Sequence, residues 1–333
     1  MNETPFRVAL VGAGTIAATH LTAIDLVDGI ELVAIVDANP DAAAKLAAGR
    51  DVAVLTDHTA LDDTVGFDAA IVCTPPATHF EIAGGLLDRG HHVLCEKPLT
   101  VGLEAASRLV EAGHRAGRLL MMASKFRYVA DVARARAMIA DGVIGAPVMF
   151  ENAFTDRLSM ADRWHANPSI SGGGVIIDNG THSVDVTRYL FGPIVDLLAV
   201  EGVRLQGLAV EDTATLTVRC ATGVTGAIDL SWTVDKRLDH YARVHGSDGT
   251  LELGWRSAIR LDAKGEVAES FGDGYSKLEC FRAQLVDFVG AARGEHAPLL
   301  GDDDALASVA VIDAAYRSMA ATRWERVHVP VSA

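Results

Sequence analysis

Two stretches of this 333-residue chain carry side chains able to move a proton off a substrate hydroxyl. In Val93-Leu94-Cys95-Glu96-Lys97-Pro98 an apolar run stops abruptly at Glu-Lys-Pro. That pattern sets Lys97 at the carboxyl end of a buried strand, where open α/β sheets bind their ligands. By itself the stretch reads equally well as a strand closed by a surface ion pair. The second stretch runs from Ser171-Gly172-Gly173-Gly174 through Asp178 to His182 and leads into a helix-like segment. Asp178 and His182 stand four apart at the start of that helix and share one face. An imidazole there can take a hydroxyl proton while the carboxylate orients it or the substrate. Taken alone, the pair is more simply a helix cap and a core histidine. Three consecutive glycines suit a backbone that passes close to a ligand or turns sharply.

The elements upstream would position these groups around a dinucleotide. A strand over Arg7–Val11 is followed at once by Gly12-Ala13-Gly14-Thr15-Ile16-Ala17 and a helix to about Val27. Gly12 allows the tight turn, Gly14 lets backbone approach a pyrophosphate, and Ala17 permits close helix packing. Thr15 and Ile16 open the helix, whose free N–H groups and positive dipole end favour phosphate. The next strand ends in Asp37, about twenty residues on, where an acid binds the ribose hydroxyls. No Arg or Lys follows it directly, and a carboxylate repels a 2′-phosphate, so the cofactor expected is NAD rather than NADP. Asn39 is better placed than Asp37 to cap the next helix. Thr74-Pro75-Pro76 makes a stiff turn suited to lying along a flat ligand. Strands at about 52–55, 68–73, 91–95 and 119–123 alternate with helices, which predicts a doubly wound parallel sheet.

Gly12-Ala13-Gly14-Thr15-Ile16-Ala17, Cys73-Thr74-Pro75-Pro76-Ala77-Thr78-His79 and Glu96-Lys97-Pro98, in this order and spacing, resemble the glucose–fructose oxidoreductase/inositol dehydrogenase/MocA family. The resemblance covers nearly the whole chain. It implies that Lys97 touches substrate beside the nicotinamide, and that Thr74, Pro75, Pro76, His79 and Glu96 line the cofactor. Gly-Gly-Gly-x-x-x-Asp-x-Gly-x-His matches the family's second motif, so Asp178 and His182 would flank the substrate. By the same resemblance Tyr275 adds a further substrate contact and the protein is a homodimer or homotetramer.

The second half begins with a helix over 128–141 and a strand over 148–155. A polar, aromatic loop follows, and with Arg127 its Asp156, Arg157, Trp164, His165 and Asn167 suggest a polar substrate with an aromatic wall. From Ile194 the grammar changes to short strands (197–203, 213–220, 224–233, 240–245, 250–253, 258–261) separated by Gly-containing turns. These favour a large, mostly antiparallel, open-faced sheet. Helices over 278–292 and 303–320 and a strand over 327–329 close the chain. The fold expected is therefore α/β, with an N-terminal Rossmann domain over 1–124 and a substrate-binding and oligomerisation domain over 125–333.

Composition sets outer limits. A net charge of −15 disfavours a nucleic-acid surface. The four cysteines (Cys73, Cys95, Cys220, Cys280) lack metal-ligand spacing and read as small core residues, which suits a reducing cytoplasm. No signal peptide, membrane span or metal site is expected. The expected reaction is NAD-dependent oxidation of a secondary hydroxyl on a sugar, sugar derivative or cyclitol, or the reverse reduction. Two alternatives stay open: a hydrolase or lyase that retains its NAD through transient oxidation, and a non-catalytic NAD-dependent regulator.

Overall fold

In the computed structural model, which describes residues 4–330, strand β1 (Phe6–Val11) lies at the centre of a six-stranded sheet. The other strands are β2 (Ile30–Val36), β3 (Ala53–Leu55), β4 (Ala69–Val72), β5 (His92–Glu96) and β6 (Leu120–Ala123), in the order β3-β2-β1-β4-β5-β6. Every pairing is parallel. Strands such as Ala69-Ala70-Ile71-Val72 are buried at every residue, as a sheet covered on both faces requires. Helices α1 (Thr15–Ile24), α2 (Pro40–Ala47), α3 (Leu61–Thr64), α4 (His79–Asp88) and α5 (Leu103–Ala116) make the crossovers. Asn39 caps α2 through its side chain, as its position predicts. The strand order reverses between β1 and β4, and a crevice at their carboxyl ends is where such sheets take ligands.

The chain divides into two compact units at Ser124/Lys125, but the second does not run unbroken to the end. Residues 277–306 belong with the first unit. The expected continuous second domain over 125–333 is corrected accordingly, and the tips of both expected ranges lie outside the described residues. The physical reason is burial. The helix over Lys277–Ala292 packs on α1, and its Phe281 ring meets the edge of His20 at 4.7 Å.

The second unit contains α6 (Ala130–Ala140), β7 (Pro147–Thr155), α7 (Pro168–Ser171) and α8 (Val175–Phe191). Seven strands follow: β8 (Ile194–Glu201), β9 (Thr213–Cys220), β10 (Thr225–Ser231), β11 (His240–Gly246), β12 (Gly249–Gly254), β13 (Ala258–Asp262) and β14 (Val267–Gly272). After α9 (Lys277–Ala292), the returning helix, come α10 (Asp302–Ala321) and β15 (Glu325–Arg326). The nine-stranded sheet has the order β14-β13-β12-β11-β7-β10-β9-β8-β15 and is antiparallel except between β7 and β10. In β9, Ala214, Leu216, Val218 and Cys220 point inward while Thr215, Thr217 and Arg219 are exposed. Strand β14 is absent from the sequence-based reading because Val-Ala-Glu-Ser-Phe-Gly is a mostly accessible edge strand. The last strand falls at 325–326 rather than 327–329, where the chain pairs with β8 at Leu197 and Asp196.

Candidate active site

The nucleotide half of the site is built on three strand ends of the first unit. Gly12 has φ +101°, and a Cβ there would lie 2.7 Å from the Cys73 carbonyl just past β4, so only glycine fits this turn from β1 into α1. A Cβ on Gly14 would meet nothing within 4 Å. Gly14 is also the N-cap of α1 and makes no side-chain cap for the first N–H groups of that helix. Asp37, just past β2, accepts N–H bonds from Ala13 (2.7 Å) and Asn39 (2.8 Å). Each carboxylate oxygen keeps a further lone pair for a ribose hydroxyl. An open anion cradle beside an acid that is tied to the glycine turn fits a dinucleotide.

Thr74, Pro75 and Pro76 form the turn after β4, with Thr78 Oγ1 lying 2.8 Å from both Thr74 Oγ1 and the Pro75 carbonyl oxygen. His79 is not a surface for the cofactor, as the sequence suggested. Its ring is fully buried, with Nε2 2.7 Å from the Thr74 carbonyl and Nδ1 2.9 Å from the Pro98 carbonyl. It shapes the turn from behind. Burial pulls the His79 pKa down, against the opposing pull of both carbonyls and the Glu96 charge. Glu96 is corrected in the same way: it is buried, and its oxygens accept from His20 Nε2 (2.9 Å) and the Lys97 N–H (3.1 Å). Of residues 93–100, Lys97 alone is not buried.

In the second unit, α8 carries the other group of side chains. From Gly173 to Thr187 the chain is buried except at Asp178, Asn179 and His182. Before Arg188 and Tyr189 near its far end, the helix opens only at these three positions, a strip that holds the Asp/His pair. Asn179, which the sequence reading passed over, donates to the Phe154 carbonyl at 3.3 Å. His182 sits against aromatic rings, edge-on to Phe126 (centroids 5.1 Å) and to Phe154 (6.4 Å). Phe126 in turn stacks on Tyr275 at 5.2 Å, which brings that residue to the same cluster. Trp255, 5.7 Å from Tyr275 and 42% exposed, completes an aromatic edge that no spacing signal in the sequence marks.

Two of the three glycines are required by close contacts within the protein, and the third by its backbone conformation. A Cβ on Gly174 would lie 1.9 Å from the Glu211 carbonyl, and one on Gly173 would lie 1.9 Å from the Tyr316 hydroxyl. Gly172 has φ +81° and ends α7. Glu211 also caps α8, its Oε1 accepting from Gly174 N–H and Ile176 N–H at 3.0 Å and from Tyr316 at 2.8 Å. The start of α8 is thus capped from outside the helix. Burial pushes the Glu211 carboxyl up, and the Tyr316 hydroxyl also rises, by burial first and then by the Glu211 charge.

The remaining expected substrate residues divide. Arg127 is corrected to a structural role, since it is 3% exposed and pairs with fully buried Asp185 at 2.7 Å. Asp156 and Arg157 are exposed, the first accepting the N–H of the second. Trp164 is exposed and stacks on His165 at 3.6 Å. Asn167 spends its side-chain oxygen capping α7 at the Ser169 N–H.

Comparison with known proteins assigns this architecture. A family model described as an oxidoreductase family with an NAD-binding Rossmann fold matches residues 6–124, and the GFO/IDH/MocA C-terminal domain matches residues 132–252. The chain belongs to the Gfo/Idh/MocA oxidoreductase family. Among Gfo/Idh/MocA relatives, D-apiose dehydrogenase of Paraburkholderia graminis is 29% identical over 74% of this chain and 67% of its own. Inositol 2-dehydrogenase 4 of Saccharopolyspora erythraea is 28% identical over 88% and 87%. The solved structure of levoglucosan dehydrogenase with NADH and L-sorbose matches at TM-score 0.89 and 23% identity, covering 98% of this chain and 100% of that one. The protein is thus an oxidoreductase whose cofactor is NAD.

Proposed function

We propose that this protein oxidises a secondary hydroxyl of a sugar, sugar derivative or cyclitol, or runs the reverse reduction, with Lys97, Asp178 and His182 acting on one substrate oxygen. The observation that carries this reading is selective exposure. In each unit an otherwise buried motif opens only at the side chains that can do the chemistry: Lys97 of residues 93–100, and Asp178, Asn179 and His182 of residues 173–187. A fold that merely stored these residues would have no reason to bury all their neighbours and spare them.

NAD, when bound through the Gly12–Ile16 turn and Asp37, supplies the hydride acceptor. The rest belongs to the protein. His182 takes the hydroxyl proton, which must leave as the hydride leaves the same carbon. Lys97 stabilises negative charge developing on that oxygen. Asp178, one turn before His182 on the same strip, holds the imidazole or the neighbouring hydroxyl in place. Tyr275 and Trp255 offer ring faces beside His182 of the kind that pack on the C–H face of a sugar.

The substrate class takes support from relatives whose names specify D-apiose and inositol. An acidic chain with four free, buried thiols suits a reducing cytoplasm, and no helix among the described residues is long and apolar enough to cross a membrane. The test is a panel of D-apiose, D-glucose, D-galactose, myo-inositol and scyllo-inositol with NAD, followed by the absorbance of reduced nicotinamide. Turnover of at least one member is expected. Cofactor that co-purifies and is never consumed while product forms would favour the NAD-retaining chemistry instead.

A further inference from the structure

We infer that His20 is a positioning residue for Lys97, acting through Glu96, and that His79 braces the same corner from the other side. The inference rests on the proposed role of Lys97. His20 lies in the second turn of α1, a helix otherwise made of Thr, Ala, Ile and Leu, and its side chain is 1% exposed. A buried imidazole on the phosphate-binding helix has no direct use in holding a dinucleotide. It points instead to Glu96, the last residue of β5, with Nε2 2.9 Å from Oε1. Glu96 Oε2 then accepts the main-chain N–H of Lys97 at 3.1 Å. Two acceptor oxygens on one carboxylate thus join the α1 imidazole to the backbone of the candidate catalytic lysine. A carboxylate accepts only, so Nε2 is the protonated nitrogen of His20.

On the opposite flank stands His79, which donates through whichever ring nitrogen carries its proton. Its two ring nitrogens span the Pro98 carbonyl, one residue beyond Lys97, and the Thr74 carbonyl in the turn after β4. Lys97 is therefore the accessible residue of a corner whose neighbours on both sides are held by buried histidines. Glu96 is 7% exposed, so its carboxylate faces inward rather than toward solvent. A carboxylate buried this deep against an imidazole is a poor way to gain stability, because its desolvation offsets the hydrogen bond. Fixing the backbone of a catalytic residue is a use that repays the cost. Misplacement of a reacting group by about 1 Å is enough to lose ~100-fold in rate.

The test compares His20→Phe, which keeps a ring against Phe281 but loses the donor, with His20→Gln, which keeps an N–H donor. Each is made with and without Lys97→Ala, and turnover is followed with NAD and the best compound of the panel above. His20→Phe should lower kcat by about tenfold to a hundredfold with NAD affinity changed less than about threefold, and His20→Gln should recover much of the loss. In the Lys97→Ala background His20→Phe should cost nothing further, since it acts through the lysine. A buried histidine that serves stability alone would give additive losses in the two backgrounds, and that result would overturn the inference. So would wild-type kcat in His20→Phe while Lys97→Ala is inactive. If Lys97→Ala itself is fully active, the fault lies with the proposed role of Lys97. A crystal structure of the His20→Phe holoenzyme with NAD needs no substrate: a displaced Lys97 backbone supports the relay, and an unmoved one refutes it.

Discussion

His182→Ala should lower kcat by about 10² or more, the scale of a lost general base, while NAD binding by fluorescence titration stays near the wild-type value. Added imidazole should restore part of that activity. It should not restore Lys97→Ala, where the missing group stabilises charge rather than accepting a proton. Imidazole rescue of the lysine variant and not of the histidine variant would reverse the two assignments. Cofactor choice belongs to a single carboxylate as well. Asp37→Ser combined with Ala38→Arg removes the repulsion and adds a phosphate partner, so the ratio of kcat/KM for NADP over NAD should rise by at least tenfold. An unchanged ratio would show that Asp37 does not set the preference. At this scale the sequence was informative about which residue types to watch and poor about where they point. Lys97, Asp178 and His182 do reach accessible positions. Arg127, Glu96 and His79 looked equally chemical and turn inward, because nothing local to a charged residue says whether a partner such as Asp185 waits fifty-eight positions away.

The strip on α8 depends on how that helix begins, and its cap comes from Glu211, thirty-seven residues from Gly174. No pattern of the capping-box kind links such distant positions, so this support was not legible in the sequence. The glycine triplet was legible as a constraint, and the contacts with Glu211 and Tyr316 that require two of its members were not. Glu211→Ala should destabilise the fold by about 2–4 kcal/mol, for a lost cap plus unpaired buried donors, measured by urea unfolding. Glu211→Gln should not, since all three bonds are made to Oε1, which the amide retains as its carbonyl oxygen. The carboxyl of Glu211 titrates above its ordinary value of 4.5 because it is buried. A group raised in the folded state contributes stability that is full below its unfolded pKa and is lost as pH rises through the folded one. Wild type should therefore lose stability relative to Glu211→Gln as pH climbs from 4.5 through the raised value. Parallel pH profiles for the two proteins would contradict this.

At the scale of the molecule, strand periodicity carried most of the architecture. The nearly continuous burial of β1, the all-buried run of β4 and the alternation of β9 each announce their sheet. The return of α9 to the first unit is a long-range packing event that periodicity cannot encode. The outer face of the nine-stranded sheet leads to the last prediction. Cross-strand register aligns Arg243, Glu151, Ala227, Thr217 and Leu198 in one row across five strands. The next row sets Ala153, Asp229, Thr215 and Val200 side by side. All are accessible, with Val200 at 55% and nearby Met149 at 48%, while the alternate residues are buried. A broad mixed face of small, apolar and charged side chains, carrying ion pairs such as Arg219–Asp196 and Lys236–Asp229, can meet its own copy across a twofold axis. We expect a homodimer or homotetramer through this face. Ala227 sits near the middle of it, so Ala227→Arg would place two unpaired cations at the centre of a self-complementary contact. Light scattering at micromolar concentration should give a multiple of the chain mass for the wild type and a smaller mass for Ala227→Arg, with the Rossmann half still binding NAD. A monomeric wild type, or an oligomer indifferent to the arginine, would show that this face serves another purpose.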